Sequence, residues 1–179
     1  MTDLTEGEVI QLRRKIFLTI QSSMEFEEAA HKLMQLRLAP GLEREVVNMI
    51  VESCAQARTF QRFYGLLAQR FCVVGSEYQQ SCVDAFGDQY ESCHRLETRQ
   101  LRNIAKLFAF LLHTDAIPWT TLEAITVTEE ATNPSKRIFL KVVFQELFTS
   151  MGRATLQGRL ADPSMREPFR GLFPKDHPR

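Results

Sequence analysis

Apolar positions recur at helical spacing along nearly the whole chain, and no stretch alternates with period two between turn signals. Thr5 and Glu8 form a capping-box pattern. After it, Val9, Leu12, Ile16 and Ile20 share one face, with Arg13, Arg14 and Lys15 clustered off that stripe. Ser22 and Glu25 repeat the pattern and predict a second helix carrying Phe26, Ala29, Ala30, Leu33 and Leu36. It should end before Pro40, because the residue preceding a proline is pushed out of the α region. A third helix follows Pro40 and Gly41 and aligns Val46, Met49, Ile50 and Cys54. Thr59 reads as the cap of a fourth, where Phe60, Phe63, Tyr64, Leu67 and Phe71 mark a buried face. Gly75 and Ser76 break the chain before a fifth helix with Cys82, Val83, Phe86, Tyr90 and Cys93. A sixth carries Leu101, Ile104, Ala105, Phe108, Leu111 and Leu112.

Pro118 suits the first turn of a short seventh helix holding Trp119 and Leu122, and residues 126–135 read as a loop. The eighth helix, from Ile138 to Phe148, is apolar nearly all round, which predicts a central position in the core. Gly152 predicts a helix stop, a ninth helix covers residues 153–160, and Asp162 with Pro163 begins a tenth. The connections are short, so consecutive helices should be antiparallel neighbours, and stacked pairs of ~40 residues make an α-solenoid. The expected fold is all-α: an α-α superhelix of stacked antiparallel helix pairs, about ten helices in all. Residues 1–160 would form this domain, and 161–179 a short helix and tail that begin a linker. The chain reads as a piece of something longer.

Composition narrows the function. At 44% hydrophobic residues the chain can bury a real core. Lys plus Arg and Asp plus Glu are equal at 22 each, so the basic excess of a dedicated nucleic-acid binder is absent. Cys54, Cys72, Cys82 and Cys93 include no C-x-x-C and sit inside amphipathic stretches. Buried free thiols in a reducing compartment fit them better than zinc. No apolar run reaches the ~20 residues of a membrane span, and the N-terminus lacks the pattern of a signal peptide. The chain has no Gly-rich phosphate loop, no H-E-x-x-H and no G-x-S-x-G. His31 falls on the solvent side of the second helix, His113 ends the sixth, where a cation suits the helix dipole, and His177 lies in the tail. Cys93 and His94 are adjacent and point about 100° apart, which does not serve a nucleophile and its base. No enzyme activity, cofactor or metal is expected.

What remains is charge and surface. Glu25, Glu27 and Glu28 either complement a helix dipole or form an acidic patch for a partner. Arg13, Arg14 and Lys15 form one basic run; Arg99, Arg102 and Lys106 form a basic face at i, i+3 and i+7. Each is a solvated face or a contact for an acidic partner or RNA phosphate, and no RNA-module signature accompanies them. Trp119 is a core residue or a partner anchor. Exposure and charge make Arg13, Arg14, Lys15, Glu25, Glu27, Glu28, Arg99, Arg102, Lys106 and the tail residue Phe173 the candidate partner contacts.

Five segments in order carry a family resemblance: GEVIQLRRKIFLTIQSSMEFEEAAHKLMQLRL, NMIVESCAQARTFQRFYGLLAQRFC, HRLETRQLRNIAKLFAFLLHTDAIPW, RIFLKVVFQELF and the closing LFPKDHPR. Together they resemble the C-terminal helical domain of the nucampholin (Cwc twenty-two) family of pre-mRNA splicing factors, over almost the whole chain. The resemblance implies an MA-3-type, HEAT-like array that acts as a non-catalytic scaffold in the spliceosome and in exon junction complex assembly. It implies a nuclear location and spliceosomal protein partners. It also implies a separate N-terminal domain, outside this chain, like the middle domain of translation initiation factor four-G. In the family that domain, rather than this one, grips the DEAD-box ATPase of the exon junction complex. MA-3 domains of translational inhibitors bind DEAD-box helicases through acidic residues of the second helix. Two of those positions fall here on His31 and Gln35, neither a carboxylate, which argues against that mode. A helicase-inhibiting module and a weakly RNA-binding helical domain stay as alternatives. A monomer is expected, because one core uses most of the apolar positions.

Overall fold

A computed structural model describes residues 4–125 and 132–163. Its α-helices are α1 (Glu6–Ser22), α2 (Phe26–Met34), α3 (Glu43–Gln56), α4 (Arg62–Val74), α5 (Ser76–Glu91), α6 (Thr98–His113), α7 (Pro134–Met151) and α8 (Arg153–Leu160). Short 3-10 helices, Cys93–Arg95 and Trp119–Ala124, lead into and out of α6. No strand occurs among the described residues. The tenth helix and the tail after 163 lie outside them.

The local rules that start and stop helices are visible at several ends. The Thr5 hydroxyl accepts from Glu8 N (3.2 Å), and the Glu8 carboxylate accepts from Thr5 N (3.4 Å), closing the capping box of α1. The side chain of Asn133 caps α7, whose first residue is Pro134. After α6 the chain turns through Asp115 at φ 58°, with Ala116 N donating to Leu111 O (2.9 Å) and Asp115 N to Leu112 O (3.1 Å). That is a Schellman closure with Asp where Gly is usual. Gly152, at φ 81°, separates α7 from α8 as expected.

Three starts differ from the sequence reading. Ser22 does not cap α2; it is the last residue of α1 and its hydroxyl donates to Thr19 O (3.2 Å). The N-cap of α4 is Gln61 rather than Thr59, which leaves Phe60 before the helix, half-buried and tilted against Phe110. Pro118 precedes its short helix as cap instead of entering it.

The helices stack in two layers. The odd-numbered helices α1, α3, α5 and α7 pack each on the next, and so do α2, α4 and α6. The layers meet through α1 on α2, α3 on α4 and α6, α4 on α5 and, most extensively, α6 on α7. This is the HEAT-like stacking of antiparallel pairs. α3 and α6 run through its middle, and α6 buries Leu101, Ile104, Leu107, Phe108, Leu111 and Leu112. Phe86, Phe108, Phe139 and Tyr90 form an edge-to-face aromatic cluster where α5, α6 and α7 meet, with ring centroids 4.9 to 6.0 Å apart. α7 is not enclosed on all sides. It buries Phe139, Val142, Val143 and Leu147 against α6 and α8 but exposes Ile138 and Phe148, because no helix covers its outer face among the described residues.

Candidate interaction surface

Successive residues of a helix point about 100° apart, so Arg13, Arg14 and Lys15 leave α1 in different directions. Arg13 turns toward α3 and donates through Nε and Nη2 to the carboxylate of Glu45. That hydrogen-bonded carboxylate raises the Arg13 pKa still further above its ordinary value. The guanidinium is half-exposed, so the pair contributes no more than about 1 kcal/mol, but it fixes Arg13 to its own chain. Arg14 and Lys15 stay exposed and have no ion-pair partner among the described residues. With Gln11, Leu18, Thr19 and Ser22 they line an open trough of about 480 Å³ along the outer side of α1.

The three glutamates divide in the same way. Glu28 accepts from Lys32 Nζ (2.8 Å) and from Met24 N (3.1 Å). The lysine, then the backbone amide, hold its carboxyl below the ordinary range. Glu28 thus fastens the start of α2. Glu25 is the N-cap of α2 without a side-chain bond, and both it and Glu27 face solvent.

The basic face of α6 is largely engaged. Arg99 Nη1 donates to Ala57 O (3.4 Å) and, at the limit of reach, to Gln56 O (3.5 Å). These carbonyls belong to the end of α3, which needs donors. Lys106 lies 4.0 Å from Glu146 of α7. Arg102 alone of the three has a side chain with neither an ion pair nor a hydrogen bond among the described residues. Phe173 falls outside the described residues.

Asn103 went unnoticed in the sequence. It is buried in α6 and donates its amide to Cys54 O (3.2 Å) and Ala57 O (2.8 Å), while Cys54 Sγ returns a bond to Asn103 O (3.5 Å). A polar residue between Leu101 and Ile104 on an otherwise apolar face was the available signal. Also unremarked were the exposed apolar residues Ile10, Leu18 and Met24. Ile10 and Leu18 stand off the stripe of Val9, Leu12, Ile16 and Ile20, so their exposure could have been read from the spacing.

Trp119 is a core residue: it is buried, and its indole N–H donates to Leu112 O (2.9 Å). The His31 ring nitrogen and the Gln35 amide lie 3.1 Å apart on the exposed side of α2, a pair without a carboxylate. Burial lowers the pKa of His113, so the cation expected at the end of α6 is disfavoured there. Cys54, Cys82 and Cys93 are buried, and burial pushes the Cys54 thiol up to about 12. Cys72 is half-buried, with Sγ 3.6 Å from that of Cys82. No group of three metal-binding side chains occurs among the described residues, and no described helix is long and apolar enough to cross a membrane.

The MA3 domain model matches residues 12–118. The chain belongs to the MA3 domain family. Its similarity to known proteins extends well beyond the matched residues. It is 50% identical over 177 residues to the pre-mRNA-splicing factor CWC22 homolog of Mus musculus, and 49% identical to that of Homo sapiens. The pre-mRNA-splicing factor cwc22 of Aspergillus fumigatus is 46% identical over the same length. Each alignment covers 99% of this chain and 20% of the relative, so the chain spans about a fifth of the relatives it matches. The resemblance and the HEAT-like helical fold read from the sequence are both borne out.

Proposed function

We propose that this MA3 domain is a non-catalytic protein-interaction module of a nuclear pre-mRNA splicing factor. The observation that carries the proposal is similarity at 46 to 50% identity over 99% of the chain to splicing factors from mouse to mould. A similarity confined to core positions would speak only for the fold; identity at this level also includes surface. The module presents long helical faces to spliceosomal proteins and contributes to exon junction complex assembly as part of a longer chain. Contact with the DEAD-box ATPase of that complex belongs to a separate domain. The pair His31 and Gln35 supports this division, because the outer side of α2 offers no carboxylate at those positions to a helicase's basic residues. The domain acts as a monomer, and its candidate contacts are Arg14, Lys15, Glu25, Glu27 and Arg102, the charged candidates whose side chains have neither an ion pair nor a hydrogen bond among the described residues.

The test is an affinity capture from nuclear extract with the 179-residue chain as bait, read by mass spectrometry with and without ribonuclease. Spliceosomal proteins should be recovered in both conditions. Recovery of initiation helicases and ribosomal factors instead would overturn the reading. Recovery of spliceosomal proteins only without ribonuclease would replace protein docking by RNA contact.

A further inference from the structure

The outer face of α1 combines three properties. It is apolar: Ile10 is 59% exposed, Leu18 53%, and Met24, just past the helix end, 91%. It is cationic: Arg14 and Lys15 lie between Ile10 and Leu18, free of ion pairs among the described residues. Its helix carries no acid: from Val9 through Met24 the sequence contains no carboxylate, and the nearest beyond Met24 are Glu25 and Glu28 at the start of α2, where Glu28 is already held by Lys32 and Met24 N. At 1.5 Å per residue, Ile10 and Leu18 are about 12 Å apart along the helix, and Gln11, Arg14, Lys15, Leu18, Thr19 and Ser22 line the trough between and beyond them.

We infer that this face is a docking site for an acidic amphipathic helix of a partner protein, an inference that rests on the interaction role proposed above and names its surface. Two or three apolar side chains of the partner, at i, i+3 or i+4 and i+7, cover Ile10, Leu18 and Met24. Carboxylates flanking them meet Arg14 and Lys15, which fixes register and speeds encounter. The charge pattern selects this occupant. An RNA strand would neutralise the two cations but leave Ile10, Leu18 and Met24 in water. A second copy of α1 would set Arg14 and Lys15 against the same cations, with no acid between Val9 and Met24 to offset them. Arg13 takes no part, since Glu45 already holds it.

The experiment uses the full-length protein in nuclear extract, with benzoylphenylalanine in place of Leu18, an exposed position that tolerates it. Photocrosslinked peptides are mapped by mass spectrometry, and the R14E/K15E variant is run in parallel. The expected result is a crosslink to a helical segment of one protein that carries Asp or Glu beside apolar residues at helical spacing. R14E/K15E should lower its yield about tenfold, since reversing two charges replaces two attractions by two repulsions. Both side chains are exposed, so the variant should fold, and an unchanged helical spectrum verifies that. A crosslink to RNA, to a second copy or to a basic or uncharged segment overturns the inference. So does the absence of any crosslink, or a yield that R14E/K15E leaves unchanged. An acidic helical partner from outside the splicing machinery would sustain the docking site and overturn the splicing role.

Discussion

Gly65 is the fourth residue of α4, inside the helix, where glycine costs about 1 kcal/mol relative to alanine by helix propensity alone. On that ground Gly65→Ala should stabilise the chain. The packing reverses the sign. A Cβ at Gly65 would lie 2.5 Å from Cδ1, 2.7 Å from Cγ and 2.9 Å from Cε1 of Phe110 on α6. These atoms belong to a rigid ring, so no flexible end can swing aside. The ring is itself held: Phe60 lies 6.4 Å and His113 5.2 Å from its centroid, and the Arg62 guanidinium covers it at 6.0 Å. Overpacking of this severity sits near the top of the usual range, about 3 kcal/mol, which leaves a net destabilisation of about 2 kcal/mol after the propensity gain. With a urea slope of about 2 kcal/mol per molar, the unfolding midpoint should fall by about 1 M, read by circular dichroism. The clash is specific, so the sign should depend on residue 110. In a Phe110→Leu background the same Gly65→Ala change should be neutral or stabilising. A Gly65→Ala midpoint at or above that of the parent chain, or an equal loss in both backgrounds, would refute the reasoning.

Three further outcomes are expected. Asn103→Ala should cost about 2 kcal/mol in urea unfolding, because the carbonyls of Cys54 and Ala57 lose their donor beneath α6; an effect under about 0.5 kcal/mol would show that water replaces it. Iodoacetamide at pH 8 should label Cys72 first, since it alone is half-exposed and its hydrogen bond with Cys82 lowers its pKa, while Cys54, Cys82 and Cys93 are buried and raised; mass mapping of the first adduct decides this. His113 has a folded pKa depressed by burial below 6.5, so the unfolded chain protonates first as pH falls. Its share of stability is therefore complete above 6.5 and is lost as pH drops toward the folded pKa, and His113→Gln should flatten the dependence of the urea midpoint on pH across that window.

The sequence was most legible where a helix end is written in adjacent residues. Thr5 and Glu8 satisfy each other within one turn, and Gly152 supplies a conformation that few other residues adopt. It was least legible where a local pattern competed with tertiary packing. Ser22 and Glu25 have the spacing of a capping box, yet α1 continues through Ser22 and Glu28 serves the start of α2. Phe60 fits the apolar stripe of α4 by count, but it lies before the helix and reaches Phe110 from there. In α7 periodicity counted apolar residues all round, while burial depends on what stands opposite. With α6 and α8 on two sides and open solvent on another, Ile138 and Phe148 stay exposed.

The candidate surface was legible only in part, for a related reason. A sequence shows which residues are charged but not which charges the fold consumes. The partners that engage Arg13, Arg99 and Lys106 are Glu45, the end of α3 and Glu146, all distant along the chain. None is visible to a helical-wheel argument. Subtracting them splits each cationic run into a structural part and a free part, and this changes how the surface must be probed. Reversing Arg99 would strip a donor from the carbonyls that close α3 and would repel nothing but its own fold, so a lost interaction could not be told from lost stability. Reversing Arg102, or Arg14 with Lys15, changes only what the surrounding solution meets. If binding responds to Arg99 but not to those three, the interaction needs an intact array rather than any cationic contact, and charge is not its language.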